Sequence, residues 1–177
     1  MKDLYIIPEC YIDTNLVETL IATEGCNHQK GCNTVVNTMQ KKFCDAFALG
    51  IIDNDKRQVK YVSDFVEIAH TDSLSLRKHR LKPHYLIMVS PAMDGFLLKS
   101  AEYLHIKMED YGYTSVLKDF TSLTKAVTSK KDNGFKKLFK ALEEVPEMIV
   151  LKGWLKYLQQ EQYLCKEEEL KKIAELS

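Results

Sequence analysis

Apolar and polar residues follow one another along this chain in blocks that separate strands from helices. Leu4, Tyr5, Ile6 and Ile7 form an apolar run that stops at Pro8 and Glu9. Phe47 to Ile52 forms a second that stops at Asp53-Asn54-Asp55; both have the length of a buried strand. A third, Tyr85 to Val89, is β-rich and bounded by Pro83 and Pro91. Between the first two, Leu16, Val17, Leu20 and Ile21 fall at helical spacing behind Asp13 or Thr14 as cap. Glu24 to Gly31 reads as a loop, and Val35, Val36, Met39, Phe43 and Ala46 mark a second helix. The order opens β, α, α, β. Past Asp55, Val59, Tyr61 and Val62 predict a short strand, while Phe65, Val66 and Ile68 suit a strand or a helical turn. Thr71 to Pro83 is polar and predicts a loop or short helix. Phe96 to Leu104 predicts a helix, and further helices are expected at about 116–128, 135–144 and 152–175, punctuated by Asn133-Gly134 and Pro146. The pattern predicts an α/β fold: a small, mainly parallel sheet flanked by helices over 1–110, with a helical C-terminal extension over 111–177 packed on it.

Composition narrows the function classes. At 177 residues, with 45% hydrophobic and 10% aromatic residues, the chain suits one folded domain with an appended helical segment. Lys plus Arg and Asp plus Glu balance at 25 each, which leaves no global electrostatic footprint for nucleic acid or an anionic membrane. Local basic clusters at Lys56-Arg57, at 77–82 and at 130–140 read as solvated faces, with a phosphate-binding stripe as the alternative. No stretch approaches the roughly 20 apolar residues of a membrane helix, and the N-terminus lacks a signal h-region. Five cysteines, at 10, 26, 32, 44 and 165, fit a reducing compartment, so a cytoplasmic protein is expected.

The chemistry concentrates where apolar runs end in acids. Alternation along an extended chain points Asp53 and Asp55 the same way from the strand's carboxyl end, the edge at which open α/β sheets bind ligands. Glu9 ends its own strand likewise, so three carboxylates are expected on one rim. Like charges held together raise one another's proton affinity unless a cation intervenes, and carboxylate oxygens suit Mg2+ or Mn2+. The plainer alternative is a turn at Asp53-Asn54-Asp55. Cys26-x-His28-x3-Cys32, with Cys44 beyond, carries zinc-compatible ligand types at no standard spacing, against the simpler reading of metal-free loop cysteines. His70, His79, His84 and His105 have no evident partner in sequence. Trp154 with Leu155, Tyr157 and Leu158 reads as helix core or a docking face.

Glu9 after a first strand, the acid pair after a later strand with helix between, and a third strand beyond resemble the Toprim arrangement of topoisomerases, primases and overcoming-lysogenization-defect nucleases. The segment His84-Tyr85-Leu86-Ile87-Met88-Val89-Ser90-Pro91-Ala92-Met93-Asp94-Gly95-Phe96-Leu97-Leu98 resembles the strand, Pro-x-x-acid and Leu-rich helix of stand-alone bacterial Toprim-like proteins, where the acid is generally Glu. The resemblance covers about residues 1–105. It implies proton transfer by Glu9, Mg2+ or Mn2+ held by Asp53 and Asp55, and a second-metal or supporting role for Asp94. The implied activity is phosphodiester processing by a nuclease or nuclease subunit acting on DNA or RNA, in phage defence or mobile-element biology. Two positions depart from the pattern. Cys10 replaces the family's Gly, and Asp94 is one methylene shorter than Glu. The family's large members carry an ATPase, and no Gly-x4-Gly-Lys-Ser/Thr loop occurs here, so a separately encoded ATPase is an implied partner. The alternatives are a non-catalytic module docking an ATPase or other protein through its C-terminal helices, and a nucleotide or phosphate-ester binder.

Overall fold

A computed structural model describes residues 2–54 and 59–177. In chain order the elements are β1 (Ile6–Pro8), α1 (Tyr11–Leu20), α2 (Cys32–Lys42), β2 (Ala48–Asp53), β3 (Phe65–His70), β4 (Leu74–His79) and β5 (His84–Val89), then α3 (Met93–Tyr103), α4 (Leu117–Thr124), α5 (Asn133–Ala141), α6 (Pro146–Glu161) and α7 (Glu167–Ala174). Short 3-10 turns occupy Lys60–Asp64, Met108–Tyr111, Val127–Lys131 and Gln162–Leu164. The sheet runs β1-β2-β5-β4-β3. The three apolar runs make its parallel half, β1 on β2 on β5, and β4 and β3 add an antiparallel pair. The α/β class with C-terminal helices is as the pattern predicts.

Successive side chains of the strands leave on opposite faces, and two cores result. Ile6, Leu49, Ile51, Leu76, Ile87 and Val89 face α1, α3, α5 and α6. Ile7, Ala48, Ile52, Leu86 and Met88 face Val35, Val36 and Met39 of α2, with Tyr61, Val62 and Phe65 beside them. Each such side chain removed from water contributes about 1.5–3 kcal/mol. α2 sits unusually close over β2 because Gly50 is there. A methyl group at that position would lie 2.6 Å from Leu86 Cδ2 and 2.9 Å from Met39 Sδ.

Three expectations are corrected. Thr71 to Pro83 contains the strand β4, paired on both sides, with Leu74, Leu76 and His79 buried and Ser75, Arg77 and Lys78 half-buried. Val59, Tyr61 and Val62 border or enter a 3-10 turn rather than a strand. The long C-terminal helix is two helices. Gln162 takes φ 45°, and α7 folds back so that Trp154 Nε1–H donates to the Leu170 carbonyl at 2.8 Å. Gly153 permits that return, since a Cβ there would meet Ile173 Cγ2 at 2.7 Å. The ambiguous stretch from Phe65 is the strand β3. No helix among the described residues is long and apolar enough to cross a membrane.

Candidate functional site

The parallel register sets the site. Pro8 lies opposite Ile51, so the next residue, Glu9, arrives level with the end of β2, and its amide donates to the Ile51 carbonyl at 3.0 Å. The ladder then continues through a side chain: the Asp53 amide donates to Glu9 Oε2 at 2.9 Å. On the other side Asp53 lies opposite Val89, where β5 leads through Ser90 and a cis Pro91 into α3. The Met93 amide, in the first turn of α3, donates to Asp53 Oδ1 at 2.9 Å. Asp53 thereby satisfies a helix amide for which the N-cap residue, Ala92, has no acceptor. Asp94 follows, and its Oδ1 accepts from Thr124 Oγ1 at 2.7 Å. Glu9, Asp53 and Asp94 line one cavity of about 470 Å3, with Cys10, Asn54, Thr124 and Lys125 also on its wall.

Electrostatics follow from that crowding. Burial, then the charge of Glu9, push the Asp53 carboxyl up to about 7; Asp94 adds to the shift, while the Met93 amide and Lys125 oppose it. Asp13, 1% exposed, is pushed up to about 8, first by burial and then by the Asp53 charge. Its carboxylate accepts the Cys10 amide at 3.2 Å and the Cys10 thiol at 2.9 Å, a capping box in which Cys10 takes the place of Ser or Thr. Cys10 itself is extended, at φ −132°, and needs no glycine. Burial and Asp13 push the Cys10 thiol far above its ordinary range, so it sits there as a hydrogen-bond donor rather than a nucleophile.

Asp55 lies outside the described residues. Among the described residues no three His, Cys, Asp or Glu side chains are gathered to hold a metal ion. The donor set at the strand ends nonetheless has the chemistry of a hard-cation site: the carboxylates of Glu9, Asp53 and Asp94 line one cavity, and the Asp53 amide holds Glu9 Oε2 beside the Asp53 side chain. Mg2+ commonly takes one or two protein carboxylates and fills its octahedron with water and phosphate. The zinc-type residues are not brought together. Cys26 is buried, Cys32 begins α2, and His28 stacks on Tyr11 at 4.4 Å while its Nδ1 meets Thr14 Oγ1 at 3.0 Å and the Cys10 carbonyl at 3.2 Å. His79 and His84 belong to the α2-side core beside Tyr61, and His70 meets Glu67 at 3.0 Å on the surface.

Sequence reasoning missed Asp13, Thr124 and Lys125 as members of this site. Cys10-x-x-Asp13 carries a signal in its capping-box spacing; the other two carry none. No family model, curated protein or solved structure matches this chain.

Proposed function

We propose that this chain is a Mg2+- or Mn2+-dependent phosphodiester-processing protein, a nuclease or nuclease subunit acting on nucleic acid. The observation that carries the reading is the Glu9–Asp53 pair, joined at the ends of adjacent parallel strands and facing Asp94 in one cavity. Asp53 and Asp94, with Asp55, are the residues that would hold the ion, and Glu9 lies beside them. A divalent cation bound there would polarise a phosphoryl oxygen and acidify an attacking water. Glu9 takes up the proton at a carboxylate oxygen, its side chain oriented by the Asp53 amide. Asp53 is held at a fixed angle by the Met93 amide, and Asp94 by the Thr124 hydroxyl. The balanced net charge supplies few phosphate contacts, and those dominate affinity for a nucleic-acid backbone. The isolated chain therefore binds long substrates weakly.

Incubation of DNA and RNA with the chain and Mn2+ at low salt tests this. Wild type should cleave, and Glu9→Gln should lower turnover by roughly 100-fold or more, the range for loss of a proton-transfer group. No cleavage across several metals, alone and with any co-encoded ATPase, would refute it. A non-catalytic module that docks a protein partner then replaces it, a reading favoured by zero net charge and by exposed Val116, Leu117, Leu123 and Val127.

A further inference from the structure

The carboxylates of the cavity come from the ends of β1 and β2 and from the first turn of α3, and Thr124 and Lys125 of the helical extension complete the wall. Lys125 is the only cation on that wall among the described residues. It is exposed, and among the described residues no ion pair joins it to any carboxylate. A lysine that faces three carboxylates without closing on them leaves a gap of one polarity opposite a wall of the other.

The backbone that carries Lys125 is pinned on both sides. Thr124, its neighbour, is bound to Asp94 of α3. Five residues on, the Ser129 hydroxyl donates to the Thr124 carbonyl at 2.7 Å. The fully buried Asn15 of α1 donates to the Ser129 carbonyl at 2.7 Å and the Asp132 carbonyl at 3.1 Å. Residues 124–132 thus form a strap tied to α1 and α3. The strap fixes where the ammonium group starts from, and the flexible stem leaves its reach adjustable.

An anion that bridges a carboxylate-held divalent cation and an ammonium group is, by charge and donor type, a phosphoryl group. One lysine is too few for a duplex face, where neutralising 6–10 phosphates is common among specific binders. A cavity of about 470 Å3 lies in the range that takes a small ligand. We propose that Lys125 is the substrate-phosphate contact of this site, and that the group bound is a single nucleotide unit, free or at a strand end, with its phosphate between Lys125 and the carboxylate-bound cation. The inference rests on the reading of Asp53 and Asp94 as cation ligands.

Calorimetric titration of the full chain with AMP in saturating Mn2+ tests it. Lys125→Ala should weaken AMP binding about tenfold, the effect of losing one charged hydrogen bond. Lys125→Arg should restore most of the affinity. The Mn2+ affinity of both variants should match wild type or exceed it, which separates a phosphate contact from collapse of the cation site. Equal AMP affinity in wild type and Lys125→Ala overturns the proposal, as does absence of AMP binding to wild type that binds Mn2+. Lysine-dependent AMP binding without any cleavage of nucleic acid supports it while removing the nuclease reading. Cleavage in which Lys125→Ala changes neither KM nor AMP affinity does the reverse.

Discussion

Asn15→Ala is the perturbation that probes the strap most directly. Asn15 is fully buried in α1 and uses both hydrogens of its amide on carbonyls more than a hundred residues away, at Ser129 and Asp132. Each bond contributes about 1 kcal/mol net, and the Ser129 carbonyl, left with only the Asp132 amide at 3.5 Å, costs a further ~1–3 kcal/mol. The expected loss is therefore about 3–5 kcal/mol before relaxation and about 2–4 kcal/mol after it. For a domain of this size that is a fall in Tm of roughly 5–15 °C. Urea denaturation measures the total, and native-state hydrogen exchange locates it: amides of 124–132 should exchange faster than those of β2 and β5, because the strap loosens while the sheet keeps its ladder. AMP affinity should fall with it, since Lys125 loses its fixed origin. A loss below about 0.5 kcal/mol, the usual range for an inconsequential surface change, would refute the reasoning, and so would uniform acceleration of exchange with no excess in the strap.

Asp53→Asn keeps an acceptor for the Met93 amide and leaves the backbone bond to Glu9 in place, while removing a like charge from a crowded cavity. In chelator at pH 8 the variant should melt above wild type, and Mn2+ should raise the Tm of wild type by mass action but not that of the variant; a variant that melts lower in chelator contradicts the like-charge account. His84 sets an acid-side limit to stability. Burial lowers its pKa; His79 and Lys82 act in the same direction, and the carbonyls of Phe43 and Ala46 in the opposite one. His84 Nδ1 also meets the Tyr61 hydroxyl at 2.7 Å, and Asp64 faces the neighbouring His79. The unfolded chain takes up a proton at this residue as pH falls through about 6.5, before the folded chain does. The contribution is fully present above that value and is lost as pH falls below it. The urea midpoint of wild type should drop between about pH 6.5 and 5, and His84→Gln should show a shallower drop; equal slopes would exclude His84 as the source.

How far the sequence revealed the fold depended on whether each element's environment was local. β1, β2 and β5 were readable because parallel strands buried on both faces present unbroken apolar runs, and each run here stopped at or one residue before a Pro or Asp. β4 was not, although Leu74 and Leu76 alternate with polar residues. Both of its faces carry charge towards the His79 end: Lys78, on the face of Leu74 and Leu76, pairs with Glu167 of α7 at 2.9 Å, and Arg77, on the opposite face, lies 3.9 Å from Glu67 of β3. A strand whose half-buried positions are closed by ion pairs has the composition of a loop. The break between α6 and α7 was equally hidden. No Gly or Pro marks Gln162, and what bends the chain is the return contact of α7 onto Gly153 and Trp154.

The candidate site divides along the same line. Glu9, Asp53 and Asp94 were readable because each sits within a few residues of a strand end, so its position follows from local geometry and the parallel register. Thr124 reaches Asp94 across 30 positions and Asn15 reaches Ser129 across 114, and Thr, Asn and Lys occur too commonly for one of them to mark a site. What brings them in is the apolar core beneath. α1 packs against α5 and the turn before it, and Phe120, Phe135, Leu138 and Phe139 share one cluster with Ile12 and Leu16. That burial places the strap over the strand ends without any polar residue specifying it. The polar contacts then fix its register to within a hydrogen bond. The helical extension is thus part of the cavity wall, and the chemistry proposed for the carboxylates depends on a segment whose sequence reads only as helix.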